Sequence, residues 1–365
     1  MAVLFCHDIR AQETKLSKSI DKTFEVSGRL SLEITNKYGN VIIETWPRNE
    51  VSLKIEIIAY GKDGSAAEKL MDRVEFDFKH SSDFLEVESV FDRKKSFFKD
   101  LLNAVGDYSA SLLSKHKLQV NYELNIPETT ASITIDNRFG DIHLGDVEGR
   151  LNITLAHGNL RANKIEDYSR LSVNYGKAKI KEVNEVNMSL KGAELELDYS
   201  GKLNLQSSSS SVFIGKVMVL DIESTNDKIE INEVSDISGS ANFSELTISH
   251  LNEICKLNQS YGELTIKNVP GNFKSIRLNG KSTDYDLKFS RNSSFETRIY
   301  ARGDKLMITE YPGQREKRYM DEKSKFVQIT GFFGSDQDER KLNIDAQNGE
   351  VIIDFIDVLP ETYNK

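Results

Sequence analysis

The sequence predicts an all-β fold, namely a parallel β-helix or solenoid with coils of about 17–18 residues and a short helical or loop insertion. Small residues recur at that spacing, and an apolar residue follows two and four positions after each of them. Such alternation is typical of strands, because successive side chains of a strand point to opposite faces. The recurring small residues are Gly140, Gly158, Gly176, Ala193, Ser210, Asp227, Ser244 and Gly262.

Most coils carry a second apolar strip before the small residue, as in Leu203/Leu205 and Leu220/Ile222. Each coil is therefore predicted to hold two or three short strands joined by tight turns. An antiparallel sandwich is the alternative arrangement. The two differ in one observable feature, since a solenoid requires Leu160, Ala178 and Leu195 to stack in line.

Composition limits the classes of partner. The chain has 365 residues, of which 38% are hydrophobic and 29% charged, a polar balance that suits a slender fold with much surface. Its net charge of -9 argues against binding to nucleic acid or to anionic lipid, since both require a surplus of Lys and Arg. No apolar stretch approaches the roughly 18 residues of a transmembrane helix, so we expect no transmembrane segment.

Residues 1–12 are predicted to be the remnant of a truncated signal peptide. Apolar Met1–Cys6 precedes Arg10-Ala-Gln12, which resembles a signal-peptidase site, whereas a basic start and a full apolar core are missing. An ordinary frayed N-terminus is the alternative. The only other cysteine of the chain is Cys255, so the mature protein would contain no disulfide.

The remainder, 24–365, is predicted to be a single β-solenoid domain with an insertion at 92–117. A short helix is expected from Ser65 to Val74, a charged loop over 315–325, and one more coil motif at 348–353. The insertion mixes apolar and basic residues, so it is either an amphipathic helix for a membrane or partner, or a cap on the solenoid end. Interspersed aspartates favour the cap.

The corners of the coils contain the candidate ligand platform. The small residue is predicted to occupy a tight corner with positive φ. An aromatic residue or histidine often precedes it, and on adjacent coils these rings would stack as two ladders. Exposed rings pack against pyranose faces and so form a sugar-binding platform, although purely structural stacking is the favoured alternative. The platform residues are Phe139, His157 and Tyr175 in one ladder and Phe243 and Tyr261 in the other.

No motif supports catalysis, a cofactor or a metal. The six histidines are scattered without ligand spacing, and Asp136, Asp141 and Asp146 match no calcium repeat, so a solvated rim is expected there. No phosphate-binding loop, nucleophile elbow or recurring carboxylate pair is evident. The run Ser207–Ser211 is interpreted as a hydroxyl ladder at a corner.

Four segments resemble a family of Bacteroidota proteins named putative adhesins, which are β-solenoids related to head-GIN adhesin-like domains. The segments are Asn36-Lys-Tyr-Gly-Asn-Val-Ile-Ile-Glu-Thr-Trp46, Ile126-Pro-Glu128, Asn137-Arg-Phe-Gly-Asp-Ile142 and Asn348-Gly-Glu-Val-Ile-Ile353. The resemblance covers most of 24–290 and implies export to the cell surface, outer membrane or periplasm. It supplies no catalytic or ligand residues.

The combined expectation is a non-enzymatic, exported cell-envelope protein with an adhesin-like binding or structural role, whose partner is a glycan or a surface protein. A periplasmic sensing or regulatory module and a glycan-active β-helix enzyme are the alternatives. An acidic cleft across neighbouring coils would favour the enzyme, whereas smooth polar faces would oppose it. A partner bound at 92–117 would favour the sensing module.

Overall fold

The structure is a computed structural model that describes residues 13–91, 117–320, 325–335 and 339–357. The predicted signal-peptide remnant and the insertion, apart from Lys117, lie outside the described residues. The described chain is all-β, with strands in mixed parallel and antiparallel pairing and one short helix. It divides into two compact units, Met1–Arg161 and Ala162–Lys365. The single solenoid domain over 24–365 stays a prediction.

The first unit contains strands β1–β10 and helix α1, and β11 (Leu160–Ile165) contains the boundary between the units. Their bounds are β1 (Thr14–Glu25), β2 (Ser31–Lys37), β3 (Val41–Trp46), β4 (Glu50–Gly61), α1 (Gly64–Met71), β5 (Val74–His80), β6 (Phe84–Phe91), β7 (Leu118–Pro127), β8 (Ser132–Arg138), β9 (Ile142–Leu144) and β10 (Arg150–Ala156).

Parallel and antiparallel pairs coexist in this unit. Strand β8 pairs in parallel with β2 and β10, and β3 pairs in parallel with β7 and β9. Strand β4 instead lies antiparallel to β1 and β7, and β5 lies antiparallel to β6. A purely parallel arrangement is therefore wrong for this unit.

Strand β1 begins ten residues before the predicted first strand at Phe24. Its apolar residues Leu16, Ile20 and Phe24 lie four apart, with lysines at the same-face positions between them, so no period of two marks the strand. Backbone pairing along the whole of β4 holds it instead.

The predicted helix is confirmed, as α1. The side chain of Asp63 accepts a 2.8 Å hydrogen bond from the backbone N–H of Ala66, which caps the helix N-terminus. Ala67 is fully buried on the helix face that contacts β4.

The second unit contains strands β12–β24. Their bounds are β12 (Ser169–Asn174), β13 (Lys177–Lys191), β14 (Glu194–Ser208), β15 (Ser211–Thr225), β16 (Lys228–Asn242), β17 (Glu245–Val269), β18 (Ser275–Ser290), β19 (Phe295–Arg302), β20 (Leu306–Ile308), β21 (Arg315–Tyr319), β22 (Phe326–Phe333), β23 (Lys341–Gln347) and β24 (Val351–Ile356).

Strands β12 to β18 pair in parallel, each with the next. Ala178 and Leu195, the two residues of the predicted in-line stack that lie in this unit, are register partners. The series continues with the same offset, and every member is buried, because each apolar side chain covers the one on the neighbouring strand. Its further members are Val212, Ile229 and Leu246.

The C-terminal strands differ in part from the prediction. Strands β23 and β24 pair in parallel with the two halves of β18. The predicted final coil motif, 348–353, forms the corner between them and the start of β24. The predicted loop over 315–325 is wrong for Arg315–Tyr319, which form β21, antiparallel to β22. The side chains of β21 are almost all exposed, so the strand carries no apolar alternation that a sequence could reveal.

Candidate functional site

The corners between strands share one backbone feature. The residue before the small one, not the small one itself, has positive φ, for example 59° at Phe139 and 57° at Tyr261. The prediction that the small residue takes the left-handed conformation is therefore wrong. Tyr38 and His157 of the first unit share this conformation. In the second unit the left-handed corner column consists of Tyr175, Gly192, Ser209, Asn226, Phe243, Tyr261, Ser282 and Asn348.

The glycines that follow are required by close packing between corners. A Cβ on Gly140 would lie 1.9 Å from the carbonyl oxygen of Gly39, and one on Gly158 would lie 2.0 Å from the carbonyl oxygen of Gly140. Only glycine permits this approach of one backbone to the next. In the first unit the small residue is thus explained by steric exclusion.

At four successive corners of the second unit, from Ala193 to Ser244, the small residue is not glycine and side-chain caps form a ladder. The backbone N–H of Ala193 donates to Oγ of Ser210 (3.2 Å), and that of Ser210 donates to Oδ1 of Asp227 (2.7 Å). The N–H of Asp227 donates in turn to Oγ of Ser244 (3.1 Å). Each corner side chain satisfies a backbone donor of the preceding corner, which these buried groups require.

The serine run contributes to this ladder. Ser207 and Ser210 are buried, and Oγ of Ser207 donates to Oδ2 of Asp227 at 2.7 Å. Ser224, one strand further on, donates to the same oxygen at 2.7 Å. These hydroxyls are hydrogen-bonded parts of the corner, which is the arrangement expected of a hydroxyl ladder.

The rings of the first unit form a continuous stack. Tyr38 and Phe139 stack with ring centroids 5.6 Å apart, and Phe139 and His157 stack at 5.1 Å with an interplanar angle of 2°. All three side chains are half-buried. The predicted pairing of Phe139 with His157 is observed, and Tyr38 extends it.

The second unit contains a more exposed ring pair, Phe243 and Tyr261. Their centroids lie 5.1 Å apart with an interplanar angle of 10°, and the side chains are 60% and 48% exposed. Tyr175, in the same unit, is 53% exposed and lies over Gly192, whose added Cβ would come within 3.1 Å of its ring. The structure therefore brings together Phe243 and Tyr261, the two residues of the second predicted ladder.

The backbone conformation of the ring pair is energetically unfavourable for aromatic residues. A left-handed conformation costs a non-glycine residue roughly 1–2 kcal/mol, and Asn tolerates it best after Gly. Gly192 and Asn226 occupy the same column, so the fold accepts these less costly residues there. Strained residues that also leave a large apolar surface in water are candidates for binding.

Two carboxylates accompany the rings. Glu245 and Glu263 each follow a ring by two positions, and both are exposed. The N–H of Glu263 donates to the carbonyl of Ser244 at 3.2 Å, which places the two glutamates on adjacent segments. Thr265 donates to Oε1 of Glu263 at 3.1 Å. Sequence analysis missed these glutamates because the residue type varies along their register column, which runs Lys177, Glu194, Ser211, Lys228 and Glu245.

The aspartates considered for calcium have structural contacts. Oδ1 of Asp141 accepts hydrogen bonds from the N–H and side-chain amide of Asn159, at 2.8 and 3.2 Å. Asp136 lies 3.6 Å from the guanidinium of Arg138. Within the described ranges, no three His, Cys, Asp or Glu side chains are placed to hold a metal ion.

No protein-family model and no curated protein matches the chain. A putative cell adhesion protein from Clostridium sporogenes matches over 93% of this chain and 100% of its own, with 14% identity and a TM-score of 0.20.

A putative adhesin from Bacteroides fragilis matches over 93% of this chain and 97% of its own, with 13% identity and a TM-score of 0.23. Another from Parabacteroides distasonis covers 74% and 93%, with 13% identity and a TM-score of 0.26. These solved proteins carry the description of the family that the sequence motifs resemble. TM-scores this low carry no argument about function. Among the described residues, no helix has the length and apolarity to cross a membrane.

Proposed function

We propose that this protein is a non-enzymatic, exported cell-envelope protein with an adhesin-like role, and that it binds glycans through Phe243 and Tyr261. We also propose that strands β12–β18 of the second unit form a parallel β-solenoid, which is supported by the buried columns along β13–β16 and by their constant register. An extended array of strands with polar outer faces suits binding to a repeating polymer.

The observation that carries the proposal is the exposure of a stacked ring pair in a strained backbone conformation. Flat rings bind the apolar C–H face of a pyranose by dispersion and by attraction to the ring quadrupole. Glu245 and Glu263 lie beside the rings and accept hydrogen bonds from sugar hydroxyls. An open platform of this kind can bind an internal segment of a polysaccharide, whose chain continues beyond the rings in both directions.

The same glutamates favour a glycan-active enzyme as the second candidate, since glycoside hydrolysis uses a pair of carboxylates. Both are exposed beside an open ring surface, whereas the general acid of a glycosidase is a carboxyl group held in an apolar pocket. The binding function is therefore preferred. The sensing alternative depends on 92–117, which lie outside the described residues.

The experiment is a glycan-array screen with the full chain, followed by calorimetric titration of the best ligand. The double substitution Phe243→Ala/Tyr261→Ala is expected to weaken binding at least about tenfold, because each stacked ring contributes roughly 1 kcal/mol. Phe213→Ala is the matched control, since Phe213 is 38% exposed on a regular strand outside the corner column.

Equal binding by the double variant and the wild-type protein would exclude the ring pair as the platform. Release of reducing ends from the bound glycan, abolished by Glu263→Gln, would replace the binding function with the enzymatic one. Protease treatment of intact cells tests location. Degradation of the protein supports surface display, whereas protection by the outer membrane would exclude adhesion to external partners.

A further inference from the structure

A polar cleft lies on the outer face of the sheet formed by β18, β23 and β19, and we call it the β23 cleft. Strand β23 is the central strand, because it pairs in parallel with β18 on one side and with β19 on the other. The cleft has a volume of about 680 Å³. Besides the ion pair of Lys341 with Glu296, its lining includes Arg277, Asn279, Arg298, Tyr300, Asn343 and Asp345.

Two arginines face each other across the central strand. Arg277 of β18 and Arg298 of β19 are both register partners of Asn343. Neighbouring strands are about 4.8 Å apart, so the two arginine backbones lie roughly 10 Å apart. Long side chains at that separation reach a common point above Asn343. Both arginines are exposed, as expected for residues that line an open cleft.

Unlike many basic residues of this chain, these two guanidinium groups form no ion pair with an acidic side chain of the described residues. Lys341, at the edge of the cleft, lies 3.7 Å from a carboxylate oxygen of Glu296. Arg302, at the end of β19, makes a bidentate pair with Asp304 at 3.0 and 2.7 Å. Within the described residues, Arg277 and Arg298 have no carboxylate within ion-pair distance. In a chain of net charge -9, this leaves two free cations in one cleft.

The rest of the lining has the groups that recognise sugar hydroxyls. Asn343 adds a planar amide between the arginines, and Asn279 is held by its own amide, which donates to Asn258 at 2.8 Å. Tyr300 is fixed by stacking on Phe326 at 5.0 Å and 5°. Asp345, in register with Asn279 and Tyr300, accepts hydrogen bonds from hydroxyls but repels a dianion.

We propose that the β23 cleft binds an acidic saccharide, with the sugar carboxylate between Arg277 and Arg298 and its hydroxyls on Asn343 and Asp345. Arginine presents a planar fork of donors that matches a carboxylate, and charge-assisted hydrogen bonds are about twice as strong as neutral ones. Asp345 selects against a bare phosphate, because the ligand must supply hydroxyl donors as well as a negative charge.

The lining of the β23 cleft includes neither Phe243 nor Tyr261. Binding in the cleft is therefore independent of the proposed glycan platform, and we expect the double substitution Phe243→Ala/Tyr261→Ala to leave it unchanged.

The experiment is calorimetric titration of the full chain with trigalacturonic acid, with its methyl ester and with inorganic phosphate. Trigalacturonic acid is expected to bind, more weakly at high salt because the charges are exposed. Arg277→Gln and Arg298→Gln are each expected to weaken binding about tenfold. Arg150→Gln is the matched control, because Arg150 is an exposed arginine on an outward position of β10. Thermal unfolding verifies that every variant is folded.

Each result decides the proposal. Loss of affinity in both cleft variants, with the ester bound weakly and Arg150→Gln unaffected, supports an acidic-saccharide site. No detectable binding of trigalacturonic acid overturns it, as does equal affinity for the ester, which would show that the carboxylate is not recognised. Phosphate binding as tight as that of the saccharide would show a simple anion site and overturn the saccharide assignment.

Discussion

Oδ1 of Asp227 accepts a 2.7 Å hydrogen bond from the backbone N–H of Ser210, the corner residue seventeen positions earlier. Its Oδ2 accepts from the hydroxyls of Ser207 and Ser224, each at 2.7 Å, and from the N–H of Thr225 at 3.2 Å. Asp227 is only 4% exposed. A buried carboxylate is tolerated when donors replace its lost water, and here four donors do so.

Substitution of Asp227 by alanine is therefore expected to destabilise the second unit strongly. It leaves two backbone N–H groups and two hydroxyls without their acceptor, and an unsatisfied buried polar group costs about 1–3 kcal/mol. Partial relaxation of the hydroxyls reduces the sum, so we expect a loss of about 3–5 kcal/mol in the free energy of unfolding. Urea denaturation measures it.

Asp221→Ala is the control, because Asp221 is exposed on β15 and accepts one bond from Ser238 at 3.1 Å. Its expected effect is within about 0.5 kcal/mol. Similar losses in the two variants would show that the corner ladder has no special role in stability.

A methyl group at Gly140 is expected to destabilise the fold about as much as the substitution of Asp227, but for a steric reason. The added Cβ of Gly140→Ala would lie 1.9 Å from the carbonyl oxygen of Gly39, and backbone atoms do not yield as flexible side chains do. We expect a loss of about 3 kcal/mol or more in stability. Gly64→Ala provides the matched control, since a Cβ there meets nothing within 4 Å and alanine favours the helix. A stable Gly140→Ala protein would contradict the close approach of the two corners.

The sequence predicted the elements whose apolar residues alternate and recur. Ala178, Leu195 and Val212 lie in register along parallel strands because one face of each strand must be covered by the next. Strands β1 and β21 escaped prediction. Strand β21 is held by backbone pairing with β22 while its charged side chains face water, so its sequence resembles a loop.

The candidate site was predictable in part. The position of the aromatic residues, each directly before a recurring small residue, predicted that they would lie at corners and stack. The observed stack of Phe243 on Tyr261 agrees with that prediction. The backbone conformation was assigned to the wrong residue, because glycine serves close approach as well as positive φ. The β23 cleft was not visible, since Arg277 and Arg298 meet through strand β23, which lies more than forty residues further along the chain than either.

Cys255 is expected to be inert while the protein is folded. Its side chain is fully buried, and burial raises the pKa of the thiol to about 12, so the thiolate is scarce at neutral pH. Ellman's reagent should titrate no thiol at this position until urea unfolds the second unit. Cys6→Ser gives a chain in which Cys255 is the only cysteine. Rapid reaction of that variant in native buffer would contradict the buried position of Cys255.

The exposed pair Phe243 and Tyr261 is expected to contribute to glycan binding and little to the stability of the fold. In Phe243→Asn, relief of the left-handed backbone strain, roughly 1 kcal/mol, offsets the loss of one stacked contact with Tyr261, about 0.5–1.5 kcal/mol. Phe139→Asn gains the same relief but loses stacking with both Tyr38 and His157 and uncovers a half-buried ring.

Urea denaturation should therefore find Phe243→Asn within about 0.5 kcal/mol of the wild-type protein and Phe139→Asn less stable by about 1–2 kcal/mol. Glycan titration of the same two variants should show the opposite order, with affinity lost in Phe243→Asn and kept in Phe139→Asn. A large loss of stability in Phe243→Asn without loss of glycan affinity would make the pair a structural stack. The residues that bind would then have to be sought elsewhere on the sheet, because an aromatic ring that stabilises its own corner needs no ligand to explain it.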